Sequence, residues 1–329
     1  MAVPFLAILI ICLALVFDFL NGFHDAANSI ATVVVTRTLT PLQAVLLAGT
    51  ANFVGYFVFG VAIAETIGKG IINPQYITLP IILSGLLGAI CWNIITWLLG
   101  LPTSSSHALI GGLIGSAVIA EGPKAVVLYG IAKVFSFIII APLLGLSGAF
   151  VFTILLLRLF HKANRRKAVW LFKKLQLVSA TAYSIGHGTN DAQKTMGIIA
   201  LVLFSAGISS TFRVDNWIIL SCHAAISLGT MLGGWRIVKT MGTNIMKIRA
   251  MEGFSAETSS AVVLLGTAHF GIPVSTTHVI AGSIMGVGTV ERARGVRWVT
   301  ARKILWAWII TIPIAAFFGS AAYLLVTLF

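Results

Sequence analysis

Charged residues are scarce in this sequence. Asp, Glu, Lys and Arg make up only 9% of its 329 residues and 58% are hydrophobic, whereas a soluble domain is about 25% charged. Such a chain cannot form an ordinary solvated surface, and its apolar runs mostly exceed the roughly 18 residues that a spanning helix needs. We therefore expect an all-α polytopic membrane protein. The long runs are 4–35, 41–67, 77–99, 125–157, 176–208, 216–235, 254–270 and 304–328, with shorter runs at 108–120 and 279–290.

Cysteine is almost absent as well. Cys12, Cys91 and Cys222 all lie in apolar runs, and their spacing fits neither a disulfide framework nor a metal site. The N-terminus lacks the basic residues that begin a signal peptide, so we expect the first apolar run to be a membrane span.

Acidic residues are few, and the excess of basic residues is localised. Nine acidic residues stand against 22 basic ones, which gives a net charge of +13. In a soluble protein this would suggest a nucleic-acid partner, but here the basic residues cluster between apolar runs, as in cytoplasmic loops. We expect no nucleic-acid partner and a multi-pass location in the cell (inner) membrane. The clusters are Arg158, Lys162, Arg165, Arg166, Lys167, Lys173 and Lys174; Arg236, Lys239, Lys247 and Arg249; and Arg292, Arg294, Arg297, Arg302 and Lys303.

A path through the bilayer that keeps these clusters in the cytoplasm puts the N- and C-termini outside. Lys69, Lys124 and Arg213 then lie outside. The chain divides into a first transmembrane repeat (1–157), a basic cytoplasmic loop (158–175) and a second transmembrane repeat (176–329). The first begins outside and the second inside, which predicts an inverted-topology repeat of the kind found in secondary transporters.

Two short motifs occur once in each half, in the same order. Residues 21–29 (NGFHDAANS) are matched by 187–195 (HGTNDAQKT), and residues 100–107 (GLPTSSSH) by 271–278 (GIPVSTTH). The proline-containing motifs predict two re-entrant helical hairpins, because proline ends a helix. The glycines of the other motif predict discontinuous helices, with breaks at Gly22 and at Gly186 and Gly188.

The hairpin tips are candidate anion sites. Several hydroxyls at the start of a half-helix, beside free backbone N–H groups, can donate hydrogen bonds to a tetrahedral oxyanion. A plainer interpretation is that the hydroxyls only cap the helices. Two roles stay open for His107 and His278, contact with the anion or packing. The candidate residues are Ser104, Ser105 and Ser106 at the first tip and Ser275, Thr276 and Thr277 at the second.

The aspartate motifs are candidate cation sites. Asp25 and Asp191 lie inside apolar runs, where a carboxylate needs a partner. Together with the amides of Asn21, Asn28 and Asn190 they offer oxygen ligands for a hard cation such as Na⁺, with Asp25 and Asp191 as the metal ligands. A buried aspartate can instead carry a proton, and a helix–helix contact without transport function is the third interpretation.

The two aspartate motifs differ at one position. Asn28 in the first is replaced by Lys194 in the second, which lies one turn from Asp191 and can pair with it or add positive charge to an anion site. Our hypothesis is that Lys194 replaces one bound cation. Asp18 either extends the first cation site or is solvated, and Glu257 is a candidate cation or gating residue.

In these four motifs the chain resembles the bacterial members of the inorganic phosphate transporter (Pit) family. The resemblance implies cation-coupled phosphate uptake, inverted repeats and a homodimer in the lipid bilayer. It also implies that the six hydroxyl residues bind phosphate and that Asp25, Asn28, Asn190 and Asp191 coordinate the coupling cation. That cation is H⁺ or Na⁺, no further cofactor is implied, and some relatives carry a metal–phosphate complex or sulfate.

Three function classes remain to be separated. A symporter that alternates access around a midplane site accounts for both duplicated motifs. A passive anion channel does not need carboxylates beside helix breaks. An intramembrane hydrolase would need Ser104, His107 and Asp25 within hydrogen-bond reach of one another, and it leaves the duplication unexplained, so we expect a protein that is not an enzyme.

Overall fold

The computed structural model describes residues 3–57, 60–291 and 295–328, and this part of the chain is built from helices without a β-strand. Arg292 and Arg294 of the third basic cluster lie outside the described residues, as does the side chain of Lys69. The helices are α1 (Val3–Val35), α2 (Pro41–Val54), α3 (Ala62–Gly70), α4 (Leu79–Leu99), α5 (Ser105–Glu121), α6 (Leu128–Leu159), α7 (Arg165–Ser205), α8 (Asn216–Leu232), α9 (Trp235–Lys239), α10 (Ala250–His269), α11 (Thr276–Glu291) and α12 (Trp298–Val326).

Corresponding helices of the two halves pack reciprocally. Helix α1 packs against α8 while α7 packs against α2, and α5 packs against α12 while α11 packs against α6. Matching glycines allow the second pair of contacts. A Cβ at Gly115 would meet the carbonyl oxygen of Ala316, and one at Gly286 would meet that of Leu146. The hairpin helix of each half is thus held by the last helix of the other.

Helices α1 and α7 run through the aspartate motifs without interruption. The prediction of helix breaks at Gly22, Gly186 and Gly188 is therefore wrong. A Cβ at Gly22 would meet the carbonyl oxygen of Ile226, and one at Gly188 would meet that of Asn52. At both positions the absence of a Cβ lets the helix approach a neighbouring backbone closely. These two glycines therefore allow close helix packing and do not change the direction of the chain.

The interrupted helices lie elsewhere, again at matching places in the halves. The segment 41–67 is not one straight helix, because Pro41–Phe57 and Ala62–Gly68 differ in direction by 88°. In the second half, Asn216–Leu232 and Trp235–Asn244 differ by 62°. The left-handed backbone of Gly233, with φ 69°, stands at this bend. By length and composition the described residues contain four membrane-crossing helices, or six when each bent pair counts as one.

That count is lower than the eight long runs in the sequence because α7 and α10 are less apolar than the helices counted as membrane-crossing. Both helices carry buried polar groups, among them Gln176, Asp191 and Glu257. Large apolar side chains cover the outer surfaces of α6 and α12, including Phe135, Ile139, Leu143, Trp306, Ile309 and Phe317. The molecule therefore has an apolar exterior and encloses buried polar groups among apolar ones, as expected of a protein solvated by lipid.

The basic segment between the halves is largely helical, which corrects the predicted loop at 158–175. Helix α6 continues to Leu159, and α7 begins at Arg165. The Asn164 side chain caps α7 by accepting hydrogen bonds from the backbone N–H groups of Arg166 and Lys167. Only a short turn separates the two helices, since the pattern RRKAVWLFKKLQ continues the helical period of α7.

Candidate functional site

Both hairpin tips turn in the same way. Helix α4 ends at Gly100 with φ 66°, and the chain turns at Gly271 with φ 62° after α10. A left-handed residue after the last helical turn is a common way to end a helix, and glycine adopts it without strain. The next helix of each hairpin then begins beside the other tip.

The first hydroxyl of each tip is a helix cap. Ser104 Oγ accepts a hydrogen bond from the backbone N–H of His107 at 3.2 Å, and Ser275 Oγ accepts one from that of His278, also at 3.2 Å. For these two serines the plain capping interpretation describes the geometry. The two hydroxyl residues that follow each cap do not cap the helix, and their side chains can bond to other groups.

The two tips meet in the interior. The imidazole rings of His107 and His278 have centroids 4.8 Å apart, and His278 stacks on Trp308 at 3.8 Å. The Trp308 indole N–H donates to the carbonyl oxygen of Pro102 at 3.0 Å. Of the two roles left open for the histidines, the structure shows them packed against each other and against α12.

The aspartate motif of each half bonds to the hairpin tip of the other half. Asn28 Nδ2 donates to Thr277 Oγ1 at 2.9 Å, and Lys194 Nζ donates to Ser106 Oγ. Asn28 and Lys194 hold the same place in their motifs, and so do Ser106 and Thr277. The duplicated motifs thus form one cluster with a reciprocal pair of contacts.

Lys194 and Asp191 form the most heavily bonded part of this cluster. Lys194 Nζ donates to Asp191 Oδ1 and also to the carbonyl oxygen of Val274 at 2.9 Å. The other carboxylate oxygen accepts from Thr276 Oγ1 at 3.0 Å and lies 3.2 Å from His187 Nε2. The ion pair anticipated from the spacing of Lys194 and Asp191 is present, and the lysine contacts both hairpins.

Asp25 lies beside this pair. Its Oδ1 is 2.8 Å from His24 Nδ1, and His24 Nε2 is 3.2 Å from Thr96 Oγ1 on α4. Ligand atoms of Asp25, His187 and Asp191 lie within 4.8 Å of one another. Two carboxylates from two halves at this separation repel each other unless positive charge lies between them, so their arrangement suits a cation.

Several side-chain oxygens of the predicted site residues are buried and find no hydrogen-bond partner among the described residues. They include the side-chain oxygens of Asn21, Asn28, Asn190 and Ser105. Asn190 is held in place because its Nδ2 donates to the carbonyl oxygens of Gly186 and Leu264, each at 3.0 Å. Unpaired buried oxygens are uncommon in folded proteins, and here they lie where the sequence predicts ligand binding.

All the predicted site residues are buried. The sequence analysis did not single out Asn52, which supports the site from α2. Its Nδ2 donates to Thr230 Oγ1 at 2.8 Å, and its Oδ1 lies 3.2 Å from His187 Nδ1. A lone amide in an apolar run was the signal available in the sequence.

The contacts do not assemble a hydrolytic triad. Ser104 Oγ accepts from the backbone N–H of His107 and not from a ring nitrogen. The histidine that contacts Asp25 is His24. Nucleophile, base and acid would have to be bonded in sequence, so the geometry gives the enzyme hypothesis no support.

Comparison with known proteins identifies the family of the chain. Residues 21–319 match the model of the phosphate transporter family. The chain belongs to this family. It is 50% identical over 315 residues to a "probable low-affinity inorganic phosphate transporter" of Rhizobium meliloti (strain 1021), covering 95% of this chain and 94% of the relative.

Another relative and a solved structure are similar to the chain over almost its whole length. A protein of Bacillus subtilis (strain 168) with the same description is 44% identical over 326 residues, covering 98% of each chain. A solved structure described as "the sodium-dependent phosphate transporter" superposes with a TM-score of 0.90 at 25% identity, covering 98% of this chain and 99% of that one. The relatives are described as transporters, in agreement with the expectation that the chain is not an enzyme.

Proposed function

We propose that this chain is a secondary transporter that carries inorganic phosphate across the cell membrane together with a cation, H⁺ or Na⁺. The observation that carries the proposal is the convergence of both hairpin tips and both aspartate motifs on one buried cluster. Membership of the phosphate transporter family and the descriptions of the relatives support phosphate as the substrate. The sodium dependence named for the structural neighbour supports a coupling ion.

Phosphate is held by the hydroxyls of the two tips and by Lys194 in this proposal. Hydroxyl groups and an ammonium donate to all sides of a tetrahedral anion. Ser105 Oγ has no partner among the described residues, whereas Ser106, Thr276 and Thr277 would exchange their present contacts for the substrate. The remaining tip residues, Ser104 and Ser275, cap their helices and direct backbone N–H groups towards the anion.

The coupling cation is held by Asp25, Asp191 and the amides of Asn21, Asn28 and Asn190. An anion close to two carboxylates is repelled, and a cation between them removes the repulsion. Phosphate and cation therefore bind more tightly together than apart, which is the thermodynamic basis of coupling. With Na⁺ the two aspartates would be metal ligands, with H⁺ one of them would be protonated, and a divalent metal would enter as a metal–phosphate complex.

The two ends of the helix bundle differ in a way that suits alternating access. At one end Glu257 accepts hydrogen bonds from Gln176 at 3.0 Å and Ser179 at 2.5 Å. Gln176 in turn accepts from Thr36 at 2.9 Å. At the other end the positions that are equivalent by the internal repeat are apolar. They belong to one buried cluster, which includes Ile10, Leu86, Ile198 and Val202. The polar contacts at one end of the bundle and the apolar contacts at the other can therefore separate independently, which opens one side of the site at a time.

The topology proposed from the charges is an inverted repeat of residues 1–157 and 176–329, with both termini outside and the basic segment cytoplasmic. The reciprocal packing of α5 on α12 and of α11 on α6 supports it. A homodimer, implied by the resemblance to the Pit family, completes the proposal.

Phosphate uptake into proteoliposomes tests the function. With purified protein, labelled phosphate should accumulate against its gradient when a Na⁺ or a pH gradient is imposed, and each gradient is applied separately to identify the cation. Thr276→Ala should weaken uptake by about tenfold or more, because it removes a donor from the buried site. Thr327→Ala, at an exposed hydroxyl outside the site, is the matched control.

Competition by sulfate tests whether phosphate is the preferred anion, and a requirement for Mg²⁺ tests whether phosphate enters as a metal–phosphate complex. If sulfate is accumulated better than phosphate, the protein is a sulfate permease of the same fold. Dissipation of gradients without accumulation would identify a channel and overturn the proposal.

A further inference from the structure

Trp308 lies beside the site assigned above without belonging to either of its duplicated motifs. It is among the largest buried side chains of the described residues, and it lies on α12, the last helix of the second half. A buried indole usually finds an acceptor for its N–H group. Here the acceptor is the carbonyl oxygen of Pro102, at 3.0 Å. The backbone of the first hairpin tip is therefore bonded to α12.

The face of the same indole contacts the second tip. The His278 ring lies nearly parallel to it, with the ring centroids 3.8 Å apart and 23° between the planes. Stacked aromatic rings attract each other beyond the contribution of the area that they bury. One side chain thus contacts both tips, with a hydrogen bond to the first and with its ring face on the second.

Further hydrogen bonds hold the first hairpin along α12. Trp92 Nε1 on α4 donates to Thr311 Oγ1 at 3.1 Å, and Ser320 Oγ donates to the carbonyl oxygen of Gly115 on α5 at 2.8 Å. Together with Trp308 these residues of α12 bond to the first hairpin at three levels of the helix. The bond from the indole is the one that reaches the tip, so it determines where the tip lies relative to this support.

A backbone carbonyl in each tip accepts a hydrogen bond from a single side chain. In the first tip the Pro102 carbonyl accepts from Trp308, and in the second the Val274 carbonyl accepts from Lys194 Nζ at 2.9 Å. The hydroxyl residues follow within four positions of these carbonyls. A shift of either carbonyl therefore moves the hydroxyls that would bind phosphate.

The first half has a phenylalanine at the position equivalent to Trp308. Both α6 and α12 contain an internal proline, Pro142 and Pro313. The residue five positions before the proline is Phe137 in α6 and Trp308 in α12. A phenyl ring offers no hydrogen-bond donor. The molecule thus supplies its own comparison, a ring of similar kind that cannot bond to a tip carbonyl.

We propose that Trp308 is a positioning residue of the phosphate site, which keeps the hydroxyls of the two tips at the separation that a tetrahedral anion requires. The inference rests on the function proposed above and adds a residue of α12 that acts without touching the substrate. A binding site loses strength when its donors move by more than about 0.5 Å, because hydrogen bonds weaken steeply with poor geometry. Trp308 therefore acts on the affinity for phosphate.

The test compares Trp308→Phe with the wild type in proteoliposomes. Phenylalanine keeps a ring for His278 and removes the N–H donor. Initial uptake rates over a range of phosphate concentrations give KM and Vmax separately, with Vmax expressed per reconstituted protein. We expect KM to rise by about five- to tenfold, as for the loss of one hydrogen bond, while Vmax stays within about twofold. A merely structural role would lower Vmax at unchanged KM, because fewer molecules would be active.

Trp306→Phe is the matched control, because Trp306 lies on the same helix with its side chain exposed. It should change neither KM nor Vmax. A second comparison uses Ser105, whose hydroxyl finds no partner among the described residues. Ser105→Ala should raise KM by itself, and combining it with Trp308→Phe should raise KM by less than the product of the two effects, since the indole acts by placing this hydroxyl.

An unchanged KM in Trp308→Phe overturns the proposal, and so do effects of Trp308→Phe and Ser105→Ala that simply multiply. If Trp308→Phe does not reconstitute, Trp308→benzothienylalanine replaces it, because this residue has the shape of tryptophan with sulfur in place of the N–H group. It should raise KM to the same extent, and an unchanged KM would again contradict the role of the hydrogen bond. A wild type that takes up no phosphate under any gradient would instead refute the proposed function.

Discussion

At the residue scale, the main chemical asymmetry of the site is the difference between Asn28 in the first aspartate motif and Lys194 at the equivalent position of the second. Both side chains donate to a hydroxyl of the opposite hairpin. The lysine additionally neutralises Asp191 and contacts the second tip at Val274. One site position thus carries a permanent positive charge that its counterpart lacks.

Lys194→Asn should therefore make the second motif resemble the first. We expect phosphate affinity to fall by about tenfold or more, because a charge-assisted hydrogen bond is replaced by a neutral one. A higher cation concentration should restore binding, since Asp191 then needs a mobile counter-ion. Phosphate binding at several cation concentrations measures both effects.

The control for this variant is Lys247→Asn, at an exposed basic position. Unchanged phosphate affinity together with unchanged cation dependence in Lys194→Asn would contradict the role of the lysine as a substitute for a bound cation.

At the scale of the helix, glycine decides how closely the halves approach. The contacts of α5 with α12 and of α11 with α6 place backbone against backbone at Gly115 and Gly286. Van der Waals packing and not water exclusion drives helix association in lipid, so an added Cβ at these positions has no compensating gain.

Gly286→Ala should lower the stability of the folded protein by about 1–3 kcal/mol, the usual range for overpacking. Its Cβ would meet the backbone of Leu146 on α6, and a main chain cannot move aside as a flexible side chain can. The apparent melting temperature in detergent measures the loss.

Gly266→Ala on α10 is the matched control, because a Cβ there meets no atom within 4 Å. This variant should keep or slightly raise the melting temperature, since alanine is the better helix former. Equal melting temperatures for Gly286→Ala and the wild type would contradict the close packing of α6 and α11.

At the scale of the whole molecule, the proposed inverted repeat predicts on which side of the membrane each loop lies. The basic residues predict that the turn after α6 is cytoplasmic and that the turn between α7 and α8 is outside. The turn between α3 and α4 should be outside as well, and the segment after α9 inside.

Labelling of single cysteines in intact cells tests this topology. In a background without Cys12 and Cys91, which are exposed, Gln75→Cys and Ser210→Cys should react with a membrane-impermeant thiol reagent added outside. His161→Cys and Thr243→Cys should react only after the cells are opened. Labelling of Ser210→Cys and His161→Cys from the same side would contradict the inverted orientation.

Much of the helical architecture could be predicted from the sequence. The runs 4–35 and 77–99 match α1 and α4 closely, and the proline motifs at Pro102 and Pro273 do mark two hairpin turns. These features depend on local composition and chain stiffness. The predicted break at Gly22 failed because a glycine that ends a helix and one that lets two helices approach look alike in sequence.

The partners of the site residues could be predicted only in part. The pairing of Lys194 with Asp191 follows from their spacing on one helix. The contact of Asn28 with Thr277 joins residues far apart in the chain, and so does the support that Asn52 gives to His187. No local pattern specifies such contacts.

The sequence by itself determined the chemistry of this protein: an apolar chain, two copies of a carboxylate–amide motif, and two hydroxyl-rich turns. These depend on residue type and spacing, which the covalent chain already carries. Only the tertiary structure decided that each motif bonds to the tip from the other half, and that Asp18 forms no pair with Lys, Arg or His among the described residues. Those facts depend on how helices pack across the two halves, because a buried charge is satisfied by whichever neighbours the fold places beside it.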